Sequence, residues 1–409
     1  MIRKSVLADV IDAQKKKIES SYLGQTRNLL FHLNTKPSQF ALIISGIRRC
    51  GKSTLLNQYI STNIKESYVY LNFDSAKLYT FDIHDFQLLD ELLNETGIKW
   101  LIFDEIQIIT GWELYVRQKL DEGFNILLTG SNASLLSREL GTKLTGRHIT
   151  KELFPFSFEE FCTYKKLDVD NNAWQLYIEL GGFPGFLKEE NTDIHTALLD
   201  DIIYRDIAVR HNIRDVKSLK QLLLFLASNC SKLISANKLK QYIDVKSTAT
   251  VMEYLNYFEE SYLIQLVPKF SYSQKVQLVN QRKIYFIDNG LLNAITTSFS
   301  KDLGRKLENA VFWELRRQGK NLFYYNENGK ECDFVVCQQD KAEQVIQVCQ
   351  FFNFENEQRE INGLLEAMSF FGFETGTIIT FNQDDEIINY GKRITLIPAY
   401  KYFTKSLEK

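Results

Sequence analysis

The stretch Gly46-Ile-Arg-Arg-Cys-Gly-Lys-Ser53 constrains the fold of this 409-residue chain more than any other feature. A glycine, four residues and then Gly-Lys-Ser is a spacing that wraps the backbone so that successive amides point inward at phosphate. An apolar run, Phe40–Ser45, precedes it and Thr54–Ile60 follows, so the segment reads as a strand, a loop and the first turns of a helix. That context is what a phosphate-binding loop requires. The helix N-terminus adds its partial positive charge at the same spot. Gly46, Ile47, Arg48, Arg49, Cys50, Gly51, Lys52, Ser53 and Thr54 are therefore expected to bind a nucleotide. Lys52 would reach the β- and γ-phosphates, and the Ser53 hydroxyl would be a Mg2+ ligand.

Composition sets outer limits. The length suggests about two to four domains. With 44% hydrophobic and 24% charged residues, the chain reads as a folded soluble protein. The net charge of −2 argues against a globally basic nucleic-acid binder. The six cysteines have no paired metal-type spacing, and Cys50 lies inside the loop, which points to a reduced, cytoplasmic setting. The start, Met-Ile-Arg-Lys-Ser, has no apolar signal core, and no run reaches membrane-spanning length.

Further strand-like runs, Ser67–Asp74, Trp100–Asp104, Asn125–Thr129 and Arg147–Leu153, are mostly separated by helical segments. Such alternation implies an α/β fold with a mainly parallel sheet covered on both faces. Trp100-Leu-Ile-Phe-Asp-Glu105 is an apolar strand ending in two carboxylates. Asp104 would hold Mg2+ through a water, and Glu105 would act as general base on the attacking water. At the end of the next strand, Ser131 and Asn132 either touch the γ-phosphate or form a turn and helix cap. Arg147, in Leu144-Thr-Gly-Arg147, either acts on the nucleotide of a neighbouring subunit in a homo-oligomer or fixes its own loop through a salt bridge. No lysine-aspartate motif for guanine is evident, so ATP is the expected nucleotide.

These motifs, with Leu153–Phe161, Gly181-Gly-Phe-Pro184, Lys283–Leu292 and Leu307-Glu-Asn309, resemble the bacterial and archaeal AAA-type P-loop ATPases that carry a conserved C-terminal region. The resemblance runs across nearly the whole chain. It implies an ATPase core (1–155), then a helical lid (156–215), a winged-helix-like module (216–295) and a restriction-endonuclease-like domain (296–409). In the lid, Arg205 and Arg210 read as solvated helix positions.

The region from Arg214 to Lys283 holds eleven Lys or Arg and five Asp or Glu, a local excess of six positive charges. Phosphate contacts would explain that excess, making DNA one candidate partner and a protein the other. Its presumptive recognition helix, Ser247–Asn256, contains no Arg or Lys. In the last segment, the nuclease-like pattern needs a helix glutamate, a strand aspartate and an acidic-x-lysine strand. Glu308 and Asp333 fill the first two places, but Gln347 and Cys349 stand where the carboxylate and lysine should be. The expectation is an ATPase with ATP and Mg2+ as ligands and a nuclease-like domain that does not cleave. A DNA-coupled ATPase, a nucleotide-dependent signalling or defence switch, and an ATP-driven nuclease are the three competing functions, the last opposed by Gln347 and Cys349.

Overall fold

The computed structural model describes residues 2–33, 39–133, 142–245, 247–296, 302–339 and 341–404. The chain forms two compact units, Met1–Phe154 with Glu260–Tyr262, and Pro155–Glu259 with Leu263–Lys409. No helix among the described residues is long and apolar enough to cross a membrane.

The first unit is built on five parallel strands, β1 (Ala41–Ser45), β2 (Tyr68–Asn72), β3 (Trp100–Asp104), β4 (Asn125–Gly130) and β5 (His148–Glu152), in spatial order β2-β3-β4-β1-β5. They coincide with the apolar runs of the sequence, because strands covered on both faces need apolar side chains on both. Ile43, Leu101, Phe103 and Leu128 are fully buried at the centre. Helices α1 (Lys4–Ser20), α2 (Lys52–Asn63), α3 (Phe86–Thr96) and α4 (Trp112–Asp121) complete the unit. On α1, the Gln14 amide accepts from Asn72 N (2.7 Å) and donates to Asn72 O (3.1 Å), which satisfies part of the exposed edge of β2. Because β1, β3 and β4 are parallel neighbours, their C-terminal ends bring Gly46, Asp104 and Thr129 to one edge of the sheet.

The second unit starts with α5 (Phe158–Lys165), α6 (Asn171–Leu180), α7 (Pro184–Glu189) and α8 (Asp193–Asp201), followed by a π-helical stretch, Ile202–Val209. Next come α9 (Val216–Ser228), α10 (Ala236–Leu239) and α11 (Thr248–Glu260) with an antiparallel sheet of β6 (Leu233–Ile234), β7 (Ile264–Val267) and β8 (Arg282–Phe286), ordered β6-β8-β7. A short helix, α12 (Gln274–Val279), lies between β7 and β8. After α13 (Asn289–Ile295) and α14 (Leu303–Arg317) come β9 (Asn321–Glu327), β10 (Lys330–Gln338), β11 (Lys341–Cys349), α15 (Glu357–Phe371), β12 (Thr375–Thr380), β13 (Asp385–Asn389) and β14 (Lys392–Pro398). These strands form one mixed sheet, β13-β14-β12-β11-β10-β9.

The expected boundaries at 215/216 and 295/296 do not divide this unit, and buried polar bonds explain why. Asp288 accepts from Gly182 N (2.6 Å), while Glu314 on α14 accepts from Phe158 N (3.1 Å) and the Tyr177 hydroxyl (2.9 Å). Arg317 donates to Pro155 O (2.9 Å) and to Glu314 (2.8 Å). Helices of the expected lid are thus bonded to both later segments, and separating them would strand buried polar groups. Gly182 is part of this joint: a Cβ there would lie 2.3 Å from Phe156 O. Gly182→Ala is expected to destabilise the protein by about 2–3 kcal/mol, since backbone must move to admit the methyl. A denaturant midpoint that did not shift would contradict this.

Candidate nucleotide site

Gly46 has no room for a side chain, since a Cβ would lie 2.0 Å from Leu153 O. Its amide donates to Gly130 O (3.3 Å), which ties the start of the loop to the end of β4. Cys50 is fully buried, and its thiol donates to Leu153 O (3.3 Å). Burial pushes that thiol above its ordinary pKa, so it anchors the loop as a neutral group. Arg27, which the sequence reading did not single out, donates to Cys50 O (2.7 Å) and Phe154 O (2.6 Å).

Lys52, at the first turn of α2, is buried and donates to Gly46 O (3.0 Å) and Ile47 O (3.1 Å). Its Nζ lies 3.7 Å from Glu105 Oε1. The Ser53 hydroxyl donates to Asp104 Oδ2 (2.6 Å). The same carboxylate accepts from Tyr70 (3.0 Å), Asn72 (3.1 Å) and the Thr129 hydroxyl. Burial and the neighbouring Glu105 charge push Asp104 above its usual pKa, whereas the Ser53 and Thr129 bonds oppose that shift. A hydroxyl and a carboxylate held together are the hard-oxygen donors that Mg2+ takes alongside phosphate and water. Ser53 and Asp104 therefore fit the expected ion.

Glu105 sits in the left-handed backbone region (φ 56°), uncommon for a residue with a side chain and typical of functional sites. Burial works against its charge, but Lys52 and the Gln107 amide outweigh it and hold the carboxyl below its ordinary range. Gln107 Nε2 donates to Glu105 Oε2 (2.5 Å) and to Ser131 Oγ (3.2 Å), and Glu105 N donates to Thr129 Oγ1 (3.1 Å). Ser131 and Asn132 are both buried. The Ser45 hydroxyl donates to Asn132 O (2.9 Å) and accepts from the Tyr262 hydroxyl (2.9 Å), Tyr262 falling within the first unit. A cavity of about 560 Å³ opens beside Ser53 and Thr54, with Tyr22, Asn57 and Asp74 among its lining. Its size is that of small-molecule sites in general.

Arg147 is not brought to this cluster. Ala41 N donates to Arg147 O (3.1 Å), which places the arginine at the start of β1 and β5, the far end of β1 from the loop. That strand separates them by about 13 Å. Its guanidinium bonds Asp121 (2.6 Å) and Thr145 (3.3 Å), the salt-bridge alternative of the two expected. Arg147→Ala is accordingly expected to leave the affinity of a single chain for nucleotide within about twofold. A larger loss in a nucleotide titration would place Arg147 at its own chain's site.

Three comparisons set this geometry among known proteins. A family model described as an AAA domain matches residues 38–162, and one described as a domain of unknown function (DUF8612) matches residues 171–302. An uncharacterized protein of Methanocaldococcus jannaschii is 37% identical over 390 residues, covering 88% of this chain and 87% of that protein. The chain belongs to that protein's family. An uncharacterized protein of Haemophilus influenzae is 32% identical over 351 residues, covering 81% of this chain and 87% of its own. Among solved structures, Cdc6p of Pyrobaculum aerophilum is similar at 14% identity and TM-score 0.27, covering 72% of this chain and 97% of its own. AMPPCP-bound DnaA of Aquifex aeolicus is similar at 12% identity and TM-score 0.27, covering 61% and 88%. The Lys52, Asp104 and Glu105 cluster thus lies in an AAA domain, a nucleotide-binding module of ATPase type. The unknown-function match spans the expected 215/216 boundary, as the packing of the second unit does.

In the second unit, Glu308, Asp333 and Gln347 line one cleft. Cys349 does not contribute a cation: its thiol donates to Phe351 O (3.2 Å), and burial pushes its pKa up to about 12. The basic excess of 214–283 is smaller at the surface than in the sequence. Lys283 is buried, Lys220 pairs with Asp200 (2.8 Å), and Lys269 pairs with Glu327 (2.8 Å). Lys246 lies outside the described residues.

Proposed function

We propose that this protein is a Mg2+-dependent ATPase whose nucleotide cycle controls what its C-terminal region binds. The observation that supports it most is the convergence of Lys52 and Ser53, at the start of α2, with Asp104 and Glu105, at the end of β3. In this reading Lys52 leaves the Gly46 and Ile47 carbonyls for the phosphates. Glu105, kept ionised by Lys52 and oriented by Gln107, takes the proton of the attacking water. Ser53 and Asp104 would hold Mg2+, which would supply positive charge against the phosphates. Ser131, bonded to Gln107, and Asn132 would touch the γ-phosphate. Any action of Arg147 on nucleotide would be in a neighbouring subunit.

The partner of the C-terminal region is DNA or another protein. The helix α11 has no Lys or Arg, and several lysines nearby are internally paired, which favours a protein partner and a switch-like role. ATP turnover with and without double-stranded DNA, across a salt series, tests this. Turnover indifferent to DNA is the expected result. Stimulation that falls steeply with salt would replace the protein partner by DNA.

A further inference from the structure

The second unit contains a buried ammonium that comes from a strand outside the segments of its nuclease-like pattern. Lys283, on the central strand β8, is 2% exposed. Its Nζ lies 2.7 Å from Asp333 Oδ1, 2.7 Å from Glu331 Oε1 and 3.2 Å from Glu308 Oε1. Tyr285, two residues along the same face of β8, donates to Glu308 Oε1 (2.7 Å). Burial alone would strip the lysine of its proton, but the three carboxylates hold it charged, well above its ordinary pKa.

Three carboxylates around one point are the ligand set of a hard divalent cation. Asp333, which is buried, would be strongly destabilising without a partner. Here the chain's own cation occupies that point. Gln347 gives a second, independent sign that the cleft is rebuilt. Its Oε1 accepts from Asp333 N (3.2 Å) and its Nε2 donates to Glu360 Oε2 (2.6 Å). A glutamate at 347 would lose that donor and set two carboxylates face to face, so the position requires an amide.

We propose that the Lys283 ammonium stands in for a divalent cation in this cluster, so that the cleft is a structural centre that folds without metal and does not cleave. The lysine bridges β8 to α14 and β10, which joins the three-stranded and six-stranded sheets into one unit.

The test uses Mn2+ as probe with nucleotide-free, full-length protein. Electron paramagnetic resonance counts bound Mn2+ in wild type, Asp333→Asn and Lys283→Met, and thermal melts are run with Mn2+ and with chelator. Wild type and Asp333→Asn are expected to bind the same amount of Mn2+, and Mn2+ should not move the wild-type melt. Lys283→Met is expected to melt lower in chelator and to gain both a Mn2+ site and a higher melting temperature when Mn2+ is added. A wild-type site lost in Asp333→Asn would overturn the proposal. So would a Lys283→Met protein that Mn2+ neither binds nor rescues.

Discussion

Glu105→Gln is expected to bind ATP as tightly as the wild type and to lose turnover by about 100-fold or more, the contribution of a positioned general base. The substitution keeps the shape and removes the charge. Lys52, whose ammonium lies 3.7 Å from Glu105, loses a competitor for the phosphates, so affinity should hold or rise slightly. ATP should then persist on the purified variant. The split between unchanged Kd and collapsed kcat separates this role from a merely structural one, which would lower both. Glu105→Gln that hydrolyses ATP at the wild-type rate would remove Glu105 as the base.

Lys52→Ala should be the most damaging single change to binding. Its ammonium would supply charge-assisted hydrogen bonds to phosphate, each contributing about 1.5–3 kcal/mol, which corresponds to roughly 10–150-fold in Kd. A second consequence follows from the packing. Lys52 is the main group that holds the buried Glu105 below its ordinary pKa, so without it that carboxyl moves up and a smaller fraction is ionised as base. The loss in kcat/KM should therefore exceed the loss in affinity, and the pH at which turnover reaches half its plateau should move up. A variant with weakened binding but an unshifted pH profile would contradict the coupling of Lys52 to Glu105. Circular dichroism at the same temperature checks that the variant is folded.

What was legible in the sequence was local. Gly46–Thr54 and Trp100–Glu105 each contain, within ten residues, both the structural context and the chemistry, so loop and strand ends could be read together. The groups that tune them come from elsewhere. Tyr70, Asn72 and Thr129 reach Asp104 across 34, 32 and 25 residues, and no spacing announces them until the order of β2, β3 and β4 is known. Thr129 and Gln107 stood inside recognisable motifs, yet their partners depend on strand register. Arg147 was read as a loop arginine near the sheet edge, but which end of the sheet it occupied required the pairing of Ala41 with His148.

The second unit shows the same limit. Glu308, Asp333 and Gln347 were found by their order along the chain, and they do converge. The cation they face comes from Lys283, 50 residues before Asp333, on a strand assigned by sequence to a separate module. The same lysine had been counted towards a basic surface, because charge counts along a chain do not distinguish solvated from buried groups. The expected boundaries inside the second unit differ from its packing for a related reason. Composition marks changes of secondary structure, whereas Asp288–Gly182 and Glu314–Tyr177 bonds decide what packs as one body.

The central claim is that the first unit binds ATP and hydrolyses it with Mg2+. Steady-state phosphate release from ATP by the purified chain, in Mg2+ and in excess chelator with Glu105→Gln alongside, tests it most directly. Saturable, Mg2+-dependent release by the wild type that vanishes in Glu105→Gln is the predicted result. No release by the wild type, or equal release by both proteins, would contradict it.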